Sequence, residues 1–454
     1  MWDVKSVERF FAADHHILSV LFFRGWSVLA GSLTVIFLPL SLSPVEQGYY
    51  FTFVSIIGLQ VFFELGLNQI IMQMVSHEFA HLVEDERATL LGDKYHIDRL
   101  TLIALFVRKW YLIASIIFAT LISLLGILAL KKNEFNGSTN LMFIWIALVA
   151  LTAINLRLSP YLAMMEGMSN VGQVARLRVI QSILGYLLLW GVFYFKGSLY
   201  GLLALPFTSV ICTCYFLKRH SQTLRWISCR ELNELVNLNW LKEIFPLQWR
   251  IAISWISGYF VFNLFTPIVF LYYGSVEAGR IGLALSLFSS VTAVGMSWVN
   301  AKAPSFTMYI SLGENEKLRN LFWVVFHRSF FFIIFVSILV IFSVATLDLF
   351  NARFILRLPS LNILIVIALA NIINSVVFSM ATFMRAYKEE PMLLQSLTMS
   401  LLVVTTIVFV GKASLFAMML SYMLLTLAIS LPWTIYLFRK YYLRSNRVNE
   451  YHSI

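Results

Sequence analysis

Residues 48–82 of the chain read GYYFTFVSIIGLQVFFELGLNQIIMQMVSHEFAHL. The segment is apolar over about the 20 residues that a membrane-spanning helix needs. One carboxylate, Glu64, lies at its centre, and the amides of Asn68 and Gln69 follow about one helical turn later. A charged side chain at that depth costs about 2.5–3.5 kcal/mol to insert, so it normally faces a protein interior or a water-filled cavity. The stretch therefore predicts a membrane-spanning helix that lines a polar path.

The whole chain has the composition of an integral membrane protein. Of its 454 residues, 59% are hydrophobic and only 13% are charged, and the mean hydropathy is +0.80. A soluble domain of this length could not bury so much apolar surface. Residues 1–16 mix acidic and basic side chains and lack the short apolar core of a cleavable signal peptide. We therefore expect the first helix to act as its own insertion signal.

Apolar segments of suitable length predict an all-α polytopic membrane protein with about 12 transmembrane helices. The predicted helices are 17–40, 48–75, 109–130, 141–164, 179–195, 199–217, 246–272, 279–302, 329–348, 359–384, 391–410 and 413–438. Residues 218–245 are predicted to form a cytoplasmic amphipathic linker at the membrane interface. It separates an N-terminal six-helix lobe, 1–217, from a C-terminal six-helix lobe with a short cytoplasmic tail, 246–454. The gap at 80–109 is also amphipathic, and a solvated connector is an equally good interpretation of it.

The net charge of +11 is distributed as a topology signal. With both termini in the cytoplasm, only seven of the 34 Lys and Arg residues lie on the opposite side, in connections or at a helix end: Lys131, Lys132, Lys196, Arg280, Arg353, Arg357 and Lys412. Three more lie within predicted helices, and all the others are cytoplasmic. This bias follows the positive-inside rule, so the basic composition does not indicate a nucleic-acid partner.

The two halves of the chain carry short similarities at corresponding places. VEQG at 45–48 precedes the second helix and VEAG at 276–279 precedes the eighth, while KGSLYG at 196–201 and KASLFA at 412–417 open the sixth and twelfth. Because six is even, both halves enter the membrane in the same sense, as in transporters built from parallel repeats. The repeat favours two lobes around a central cavity with alternating access, although a channel or a scaffold can also be duplicated.

Charged side chains within predicted helices are the candidates for a substrate site. Arg24 and Arg250 occupy equivalent places in the first and seventh helices, where each either snorkels to the headgroups or lines the cavity floor. Arg157 lies deeper, and a pair with Glu64 is expected there. Guanidinium groups bind phosphate oxygens in pairs, so the three arginines predict a cationic cavity for a phosphorylated headgroup. Further polar candidates, either for cavity lining or for hydrogen bonds between helices, are Asn68, Asn263 and Asn300.

His77, Glu78 and His81 match the H-E-x-x-H pattern, in which two histidines bind zinc and the glutamate acts as a general base. Such a site needs a third ligand, and the acidic residues at 84–86 follow too closely to supply an assured one. We favour a polar helix end at the membrane interface. Neither a metal ion nor another cofactor is expected.

Three runs within this stretch resemble a known family. Gly48–Phe51, Phe63–Leu67 and Ser76–Leu82 resemble the O-antigen flippases of the Wzx type, which belong to the MATE-like multidrug/oligosaccharidyl-lipid/polysaccharide exporter superfamily. The motif likeness is concentrated in residues 48–82, whereas the helix count and the two predicted lobes fit along the whole chain. The resemblance implies that residues 77–81 form a motif of a transporter rather than a zinc site.

The resemblance also implies a cargo and a place. Such proteins move an undecaprenyl-diphosphate-linked oligosaccharide, the O-antigen repeat unit, from the cytoplasmic to the periplasmic leaflet of a bacterial inner membrane. Cationic cavity residues would contact the diphosphate or acidic sugars, and Arg24, Arg157 and Arg250 are the candidates in this sequence. Ion-coupled exchange is usual in the superfamily, and Glu64 is the candidate coupling residue. Membrane lipids and other O-antigen assembly proteins are the further expected partners.

Three alternatives remain open. A MATE-type drug/cation antiporter shares the fold, although acidic cavity residues would suit it better than three arginines. A membrane glycan polymerase needs a substantial extramembrane domain, whereas the predicted external connections are short. A scaffold for other glycan-assembly proteins is the third alternative, but such a role does not explain charged residues within membrane-spanning helices. The sequence therefore predicts a non-enzymatic transporter.

Overall fold

The computed structural model of the chain describes residues 25–27, 29–85, 89–132, 140–228, 230, 245–350, 353–387 and 389–447. Nearly all of this part is helical, and ten of its helical segments are long and apolar enough to cross a membrane. A shorter apolar helix, Gly25–Ser41, corresponds to the first predicted span. The prediction of an all-α multi-pass membrane protein is confirmed.

We number the elements in chain order. The helices before residue 230 are α1 (Gly25–Ser41), α2 (Pro44–Ile57), α3 (Val61–Glu64), α4 (Leu67–Phe79), α5 (Lys94–Lys132), α6 (Leu141–Gly167), α7 (Val171–Tyr194), α8 (Ala204–His220) and α9 (Gln222–Ser228). The helices after it are α10 (Phe245–Phe262), α11 (Phe265–Ser311), α12 (Asn315–Leu349), α13 (Leu361–Arg385), α14 (Leu393–Val410), α15 (Leu415–Leu425) and α16 (Leu431–Arg447). Short 3-10 turns cover Gly58–Gln60, Ser198–Leu203 and Arg353–Arg357, and a π-helical segment, Thr426–Ser430, joins α15 to α16.

Two connections differ from the prediction. The predicted long gap at 303–328 is a tight turn, because α11 continues to Ser311 and α12 begins at Asn315. The predicted helix 246–272 is divided between α10 and the start of α11, and the predicted helix 279–302 lies within α11, which Gly274 interrupts with φ 85° and ψ 179°. Only glycine adopts such backbone angles readily, so this residue separates the two predicted helices.

The gap at 80–109 is not an amphipathic helix up to α5. It contains two antiparallel strands, β1 (Leu82–Glu84) and β2 (Leu90–Gly92), and α5 begins at Lys94. Leu82 and Leu90 are buried, whereas the next residue of each strand, Val83 and Leu91, is exposed. In each strand only the first residue is buried, and the strands pair with Leu82 opposite Gly92 and Glu84 opposite Leu90. Of the predicted linker at 218–245, residues 222–228 form α9, and most of the remainder lies outside the described residues.

The described residues form two compact units. Unit 1 comprises those of 1–42 and 56–256, and unit 2 comprises 43–55 and those of 257–454. The predicted lobes, 1–217 and 246–454, stay a prediction. The observed units group two short segments differently, since most of α2 belongs to unit 2 and the first half of α10 belongs to unit 1.

Within unit 2, the start of α2 crosses α11 at two glycines. A Cβ atom placed on Gly48 would lie 1.8 Å from the carbonyl oxygen of Ser275, and one placed on Gly279 would lie 2.8 Å from the nitrogen of Gly48. The Gln47 amide donates a hydrogen bond of 2.8 Å to the Gly279 carbonyl. Small residues let two membrane helices approach this closely. Gly48 and Gly279 end the VEQG and VEAG segments, so corresponding positions of the internal repeat meet at this crossing.

Candidate substrate cavities

A break in the helical range Pro44–Phe79 is the first feature of the site in unit 1. Helix α3 ends at Glu64, and Leu65 (φ 47°, ψ 29°) and Gly66 (φ 69°, ψ 8°) are both left-handed before α4 begins at Leu67. The left-handed conformation costs a residue with a side chain about 1–2 kcal/mol. Interrupted helices at membrane depth occur where the backbone is buried in protein or lines a cavity. The break therefore points to a cavity near Glu64.

A cavity of about 420 Å³ lies within unit 1, and residues on both sides of the break line it. Most of its polar wall consists of amides and hydroxyls: Gln60, Asn68, Gln69, Asn155, Ser159, Gln181, Ser209 and Thr213. The remaining lining residues are two charged side chains, one aromatic and four aliphatic residues: Glu166, Arg178, Trp255, Met72, Leu158, Leu162 and Ala163. We call this the polar cavity.

The polar cavity follows one face of α6. Asn155, Ser159, Leu162 and Glu166 line it, and their spacings of three and four residues place them on the same side of a helix. At 1.5 Å per residue, the distance along α6 from Asn155 to Glu166 is about 16 Å. One end of the cavity is thus close to the end of α6, and the other end is at the middle of this helix.

Hydrogen bonds connect the break to the cavity wall. The Tyr111 hydroxyl donates to Asn68 Oδ1 at 2.9 Å, and Asn68 Nδ2 donates to Ser159 Oγ at 3.1 Å. Gln60 Nε2 donates to Glu64 Oε1 at 2.5 Å. Glu64 does not itself line the cavity, but Gln60 does. A change in the charge of Glu64 would therefore act on the wall through the Gln60 amide.

Glu166 and Arg178 form an ion pair at one end of the polar cavity. Arg178 Nη2 lies 3.0 Å from Glu166 Oε1, and the two side chains are 45% and 13% exposed. They are the charged residues of the described wall, so the wall carries no net charge. This differs from the cationic cavity that the sequence predicts.

A second cavity, of about 500 Å³, lies within unit 2. Its apolar wall consists of Val261, Phe262, Phe265, Leu285, Phe288, Ala293, Met296, Ile367, Ala370, Phe378 and Met419. Its polar residues are Ser289, Thr292, Asn300, Asn371, Asn374, Thr382, Arg385 and Tyr422. We call this the apolar cavity.

The two central amides of the apolar cavity use their donors within the wall. Asn371 Nδ2 donates to the Phe288 carbonyl at 2.8 Å and to Thr292 Oγ1 at 2.5 Å, and Asn374 Nδ2 donates to the Tyr422 hydroxyl at 2.9 Å. Five aromatic side chains surround them. The surface offered to a ligand is therefore mainly apolar, with Arg385 at the end of α13 as its charged group.

The predicted arginines are not gathered in either cavity of the described structure. Arg24 and the side chain of Arg250 lie outside the described residues. Arg157 is exposed and does not line the polar cavity. Asn155 and Ser159 face that cavity, and a residue two positions from each points to the other side of the helix. The predicted Glu64–Arg157 pair is wrong: no ion pair joins these two described residues, and the Glu64 carboxylate accepts a hydrogen bond from Gln60 instead. The role of the three arginines stays a prediction.

The predicted asparagines fall in three different places. Asn68 lines the polar cavity and Asn300 lines the apolar cavity. Asn263 lies in the turn between α10 and α11, where its backbone N–H donates to the Tyr259 carbonyl at 2.8 Å. Sequence reasoning missed Asn155, Glu166, Arg178, Gln181 and Trp255. The helical spacing of Asn155, Ser159 and Glu166 was the available signal.

The H-E-x-x-H segment forms a hydrogen-bonded cluster at the end of α4. Glu78 is buried, and its carboxylate lies 2.8 Å from Arg99 Nε and 2.7 Å from His96 Nδ1. The His81 ring stacks on the His96 ring with centroids 4.2 Å apart, and His77 is largely exposed. The zinc-protease alternative is not supported, because both carboxylate oxygens of Glu78 are already paired. Within the described residues, no group of three potential ligands is arranged to hold a metal ion.

Comparisons with known proteins identify the fold. No protein-family model and no curated protein sequence matches the chain. An inward-facing multidrug resistance MATE family transporter of the MOP superfamily is 12% identical over 96% of this chain and 95% of its own, with a TM-score of 0.54. The MATE multidrug transporter DinF-BH is 13% identical over 93% and 94%, with a TM-score of 0.59. The lipid II flippase MurJ, in an inward closed conformation, is 13% identical over 95% and 89%, with a TM-score of 0.60. The chain thus has the MATE-like fold that the sequence resemblance implied.

Proposed function

We propose that the protein translocates an undecaprenyl-diphosphate-linked oligosaccharide, the O-antigen repeat unit, from the cytoplasmic to the periplasmic leaflet of a bacterial inner membrane. The observation that carries this proposal is the polar cavity beside the interrupted helix. Amide and hydroxyl groups supply the mixed donors and acceptors that sugar hydroxyls need, and a neutral wall avoids the desolvation cost of an unpaired charge. Both termini are proposed to be cytoplasmic.

The cargo of such a flippase has a hydroxyl-rich sugar headgroup, which suits the amide-rich wall of unit 1. MurJ, whose fold this chain shares, is a lipid II flippase, which supports a lipid-linked cargo. We propose Arg24, Arg157 and Arg250 as contacts for the diphosphate, because guanidinium stays ionised and matches its oxygens.

We further propose that Glu64 couples transport to an ion. It is a carboxylate at the end of α3, immediately before two left-handed residues, and Gln60 links it to the cavity wall. Ionisable residues within membrane segments commonly serve ion pathways and proton relays. A change in charge at Glu64 would alter the hydrogen bond to Gln60 and, through it, the geometry of the break.

A drug/cation antiporter is the second candidate. The apolar cavity favours it, since about 500 Å³ of mainly aromatic wall suits an apolar ligand of drug size. Two of the structures that share the fold are multidrug transporters. We prefer the flippase because transport of apolar drugs would not explain the amide-rich wall of the polar cavity in unit 1.

Removal of the gene tests the first proposal. In a strain without a redundant transporter, we expect lipid-linked repeat units to accumulate on the cytoplasmic face and the surface glycan to disappear. The native chain supplied on a plasmid should restore both. An unaltered surface glycan in the deletion strain would refute the flippase, and drug efflux that depends on the chain in the same strain would establish the antiporter.

A further inference from the structure

We propose that the polar cavity of unit 1 holds one uncharged sugar ring of the cargo, with Trp255 as its stacking platform. The Glu166–Arg178 pair would make the site selective for neutral and N-acetylated sugars over acidic ones. This inference rests on the proposed function and assigns its substrate recognition to a particular set of side chains. None of the sequence-predicted arginines takes part in it.

Trp255 supplies the apolar part of the site. It is the one aromatic residue among the described lining residues of the polar cavity, and its side chain is 41% exposed. An indole is large and amphipathic, and a ring placed at a cavity wall offers an apolar face of fixed orientation. The axial C–H groups of a pyranose ring form a flat apolar surface that packs against such a face. The rest of the sugar is covered with hydroxyls, which need the polar residues of the cavity.

The amides that line the rest of the cavity suit hydroxyl groups. Asn155 Nδ2 donates to the Pro206 carbonyl at 3.0 Å, and Gln181 Nε2 donates to Thr213 Oγ1 at 2.7 Å. Because these donors are used by neighbouring helices, the amide oxygens remain as acceptors towards the cavity. Gln69 is exposed and offers both an acceptor and a donor. A sugar hydroxyl donates one hydrogen bond and accepts others, so it matches a wall of mixed amides.

The ion pair sets the charge selectivity. Arg178 and Glu166 compensate each other at 3.0 Å, so a neutral sugar meets no unpaired charge. A uronic acid gains little from Arg178, because Glu166 already compensates the guanidinium, and it also meets the Glu166 carboxylate; the reverse holds for a cationic amino sugar. Like charges in a partly buried site are unfavourable. A cavity of about 420 Å³ lies within the size range of small-molecule sites and is large enough for one hexose with an acetamido group.

Saturation-transfer NMR on the full-length protein in nanodiscs tests the platform, with methyl glycosides of neutral hexoses, of N-acetylhexosamines and of a uronic acid as probes. We expect the native protein to bind at least one neutral or N-acetylated glycoside and to bind the uronide at least tenfold more weakly. Trp255→Ala should weaken the neutral probe about tenfold, and Trp255→Phe should recover most of the loss. Trp249→Ala is the matched control, since Trp249 is on the same helix and 38% exposed but does not line the cavity.

Glu166→Gln tests the charge selectivity in the same experiment. Removing this carboxylate leaves Arg178 uncompensated, so the uronide should gain affinity and overtake the neutral glycoside. Three outcomes would overturn the inference: no neutral probe binds the native protein, Trp255→Ala binds it as well as Trp249→Ala does, or Glu166→Gln leaves the order of probes unchanged.

Complementation of the deletion strain distinguishes an incorrect sugar site from an incorrect flippase assignment. If Trp255→Ala and Glu166→Gln restore the surface glycan of the deletion strain at native rates and no glycoside binds, the sugar site is wrong and the flippase stands. If the deletion strain makes normal glycan, the flippase is wrong whatever the probes do. Monodisperse elution and native thermal stability of each variant show that its loss of binding is not loss of folding.

Discussion

The cavity of unit 1 is lined mainly by amides, hydroxyls and one compensated ion pair, whereas aromatic and aliphatic residues form most of the lining of the cavity of unit 2. Their volumes are similar, about 420 and about 500 Å³. Short repeated segments relate the two halves of the sequence, and yet the two walls differ in residue composition, since polar residues are the majority in unit 1 and aromatic and aliphatic residues are the majority in unit 2. Duplication of a six-helix arrangement therefore does not determine which ligand each half binds, because the residues at a few cavity-lining positions set the polarity of each cavity.

The backbones beside the two cavities also differ. In unit 1, the break after Glu64 needs left-handed angles at Leu65 and Gly66. In unit 2, Asn263 and Leu264 separate α10 from α11, and Leu264 keeps ordinary helical angles of −73° and −23°. A carboxylate accompanies the strained break and not the relaxed one. This pairing of strain with a titratable group is typical of functional positions.

The largest effect is expected at the carboxylate of unit 1. Glu64→Gln should reduce ion-driven transport about 100-fold, because an amide cannot change its charge and cannot bias one conformation over another. Glu277→Gln makes the same chemical change in unit 2, at an ion pair with Arg280, and should stay within about twofold of native. Transport of the lipid-linked cargo by inverted vesicles, with and without an imposed ion gradient, measures both. Gradient-dependent transport at native rates in Glu64→Gln would remove Glu64 from the coupling.

The next effect concerns the strained break. A Cβ atom on Gly66 would lie 2.3 Å from Cγ2 of Ile251, and the residue has φ 69°. The strain of left-handed backbone angles and the contact with Ile251 should together lower the free energy of unfolding of Gly66→Ala by about 2 kcal/mol, which reduces the folding equilibrium constant roughly 30-fold. Gly191→Ala, in the interior of α7 with open space around it, should be neutral or slightly stabilising. Thermal unfolding in detergent compares the two. Equal stability would mean that the break tolerates other backbone angles.

Matched amides in the two cavities test the comparison directly. Gln181 and Asn371 each bridge two helices through side-chain hydrogen bonds. Gln181→Leu should lower transport of the lipid-linked oligosaccharide about tenfold, whereas Asn371→Leu should stay within about twofold, because only the first removes an acceptor from a polar wall. Each variant should lose about 1 kcal/mol of stability. The reverse order, with Asn371→Leu the more damaging, would favour an apolar cargo bound in unit 2.

The smallest effect is expected at Arg157, which lies outside both cavities. If its guanidinium attracts a diphosphate from an exposed face, Arg157→Ala should reduce transport about threefold and Arg157→Lys should restore most of it, because attraction at an exposed site needs the charge more than the fork of donors. Initial rates at low and high ionic strength measure the effect. Native rates for Arg157→Ala at low salt would show that the residue does not contact the cargo.

The sequence predicted more of the framework than of the site. Asn68 was a candidate for cavity lining and lines the polar cavity, whereas Glu64 lies at the helix break and reaches the cavity wall only through Gln60, so its coupling role stays a prediction. The Glu64–Arg157 pair failed because depth along a helix was estimated without its angular position. Trp255 and Arg178 could not be identified from the sequence, because the residues next to them in the chain do not distinguish them from other tryptophans and arginines. Only the packing of separate helices places both side chains at one cavity.

Two further features of the fold could not be predicted from the residue pattern within one segment. The hairpin at 82–92 has only three residues in each strand, of which the first is buried, and so short a segment cannot be distinguished from a helix end by its sequence pattern. The membership of residues 43–55 in unit 2 depends on the close approach of Gly48 and Gly279, which are far apart in the chain. A glycine in the sequence indicates that another backbone can pack closely against this position, but it does not indicate which segment of the chain does so.

By itself, the sequence determined that this chain crosses a membrane many times, where most of the crossings lie, and that one of them carries a carboxylate at its centre. These properties follow from hydrophobic length and charge, which belong to each segment alone. The tertiary structure decided that the helix breaks at Glu64, that the Glu166–Arg178 pair neutralises one cavity, and that aromatic residues make the other apolar. These outcomes depend on which side chains from separate helices converge, and convergence is set by packing between segments rather than by composition within them.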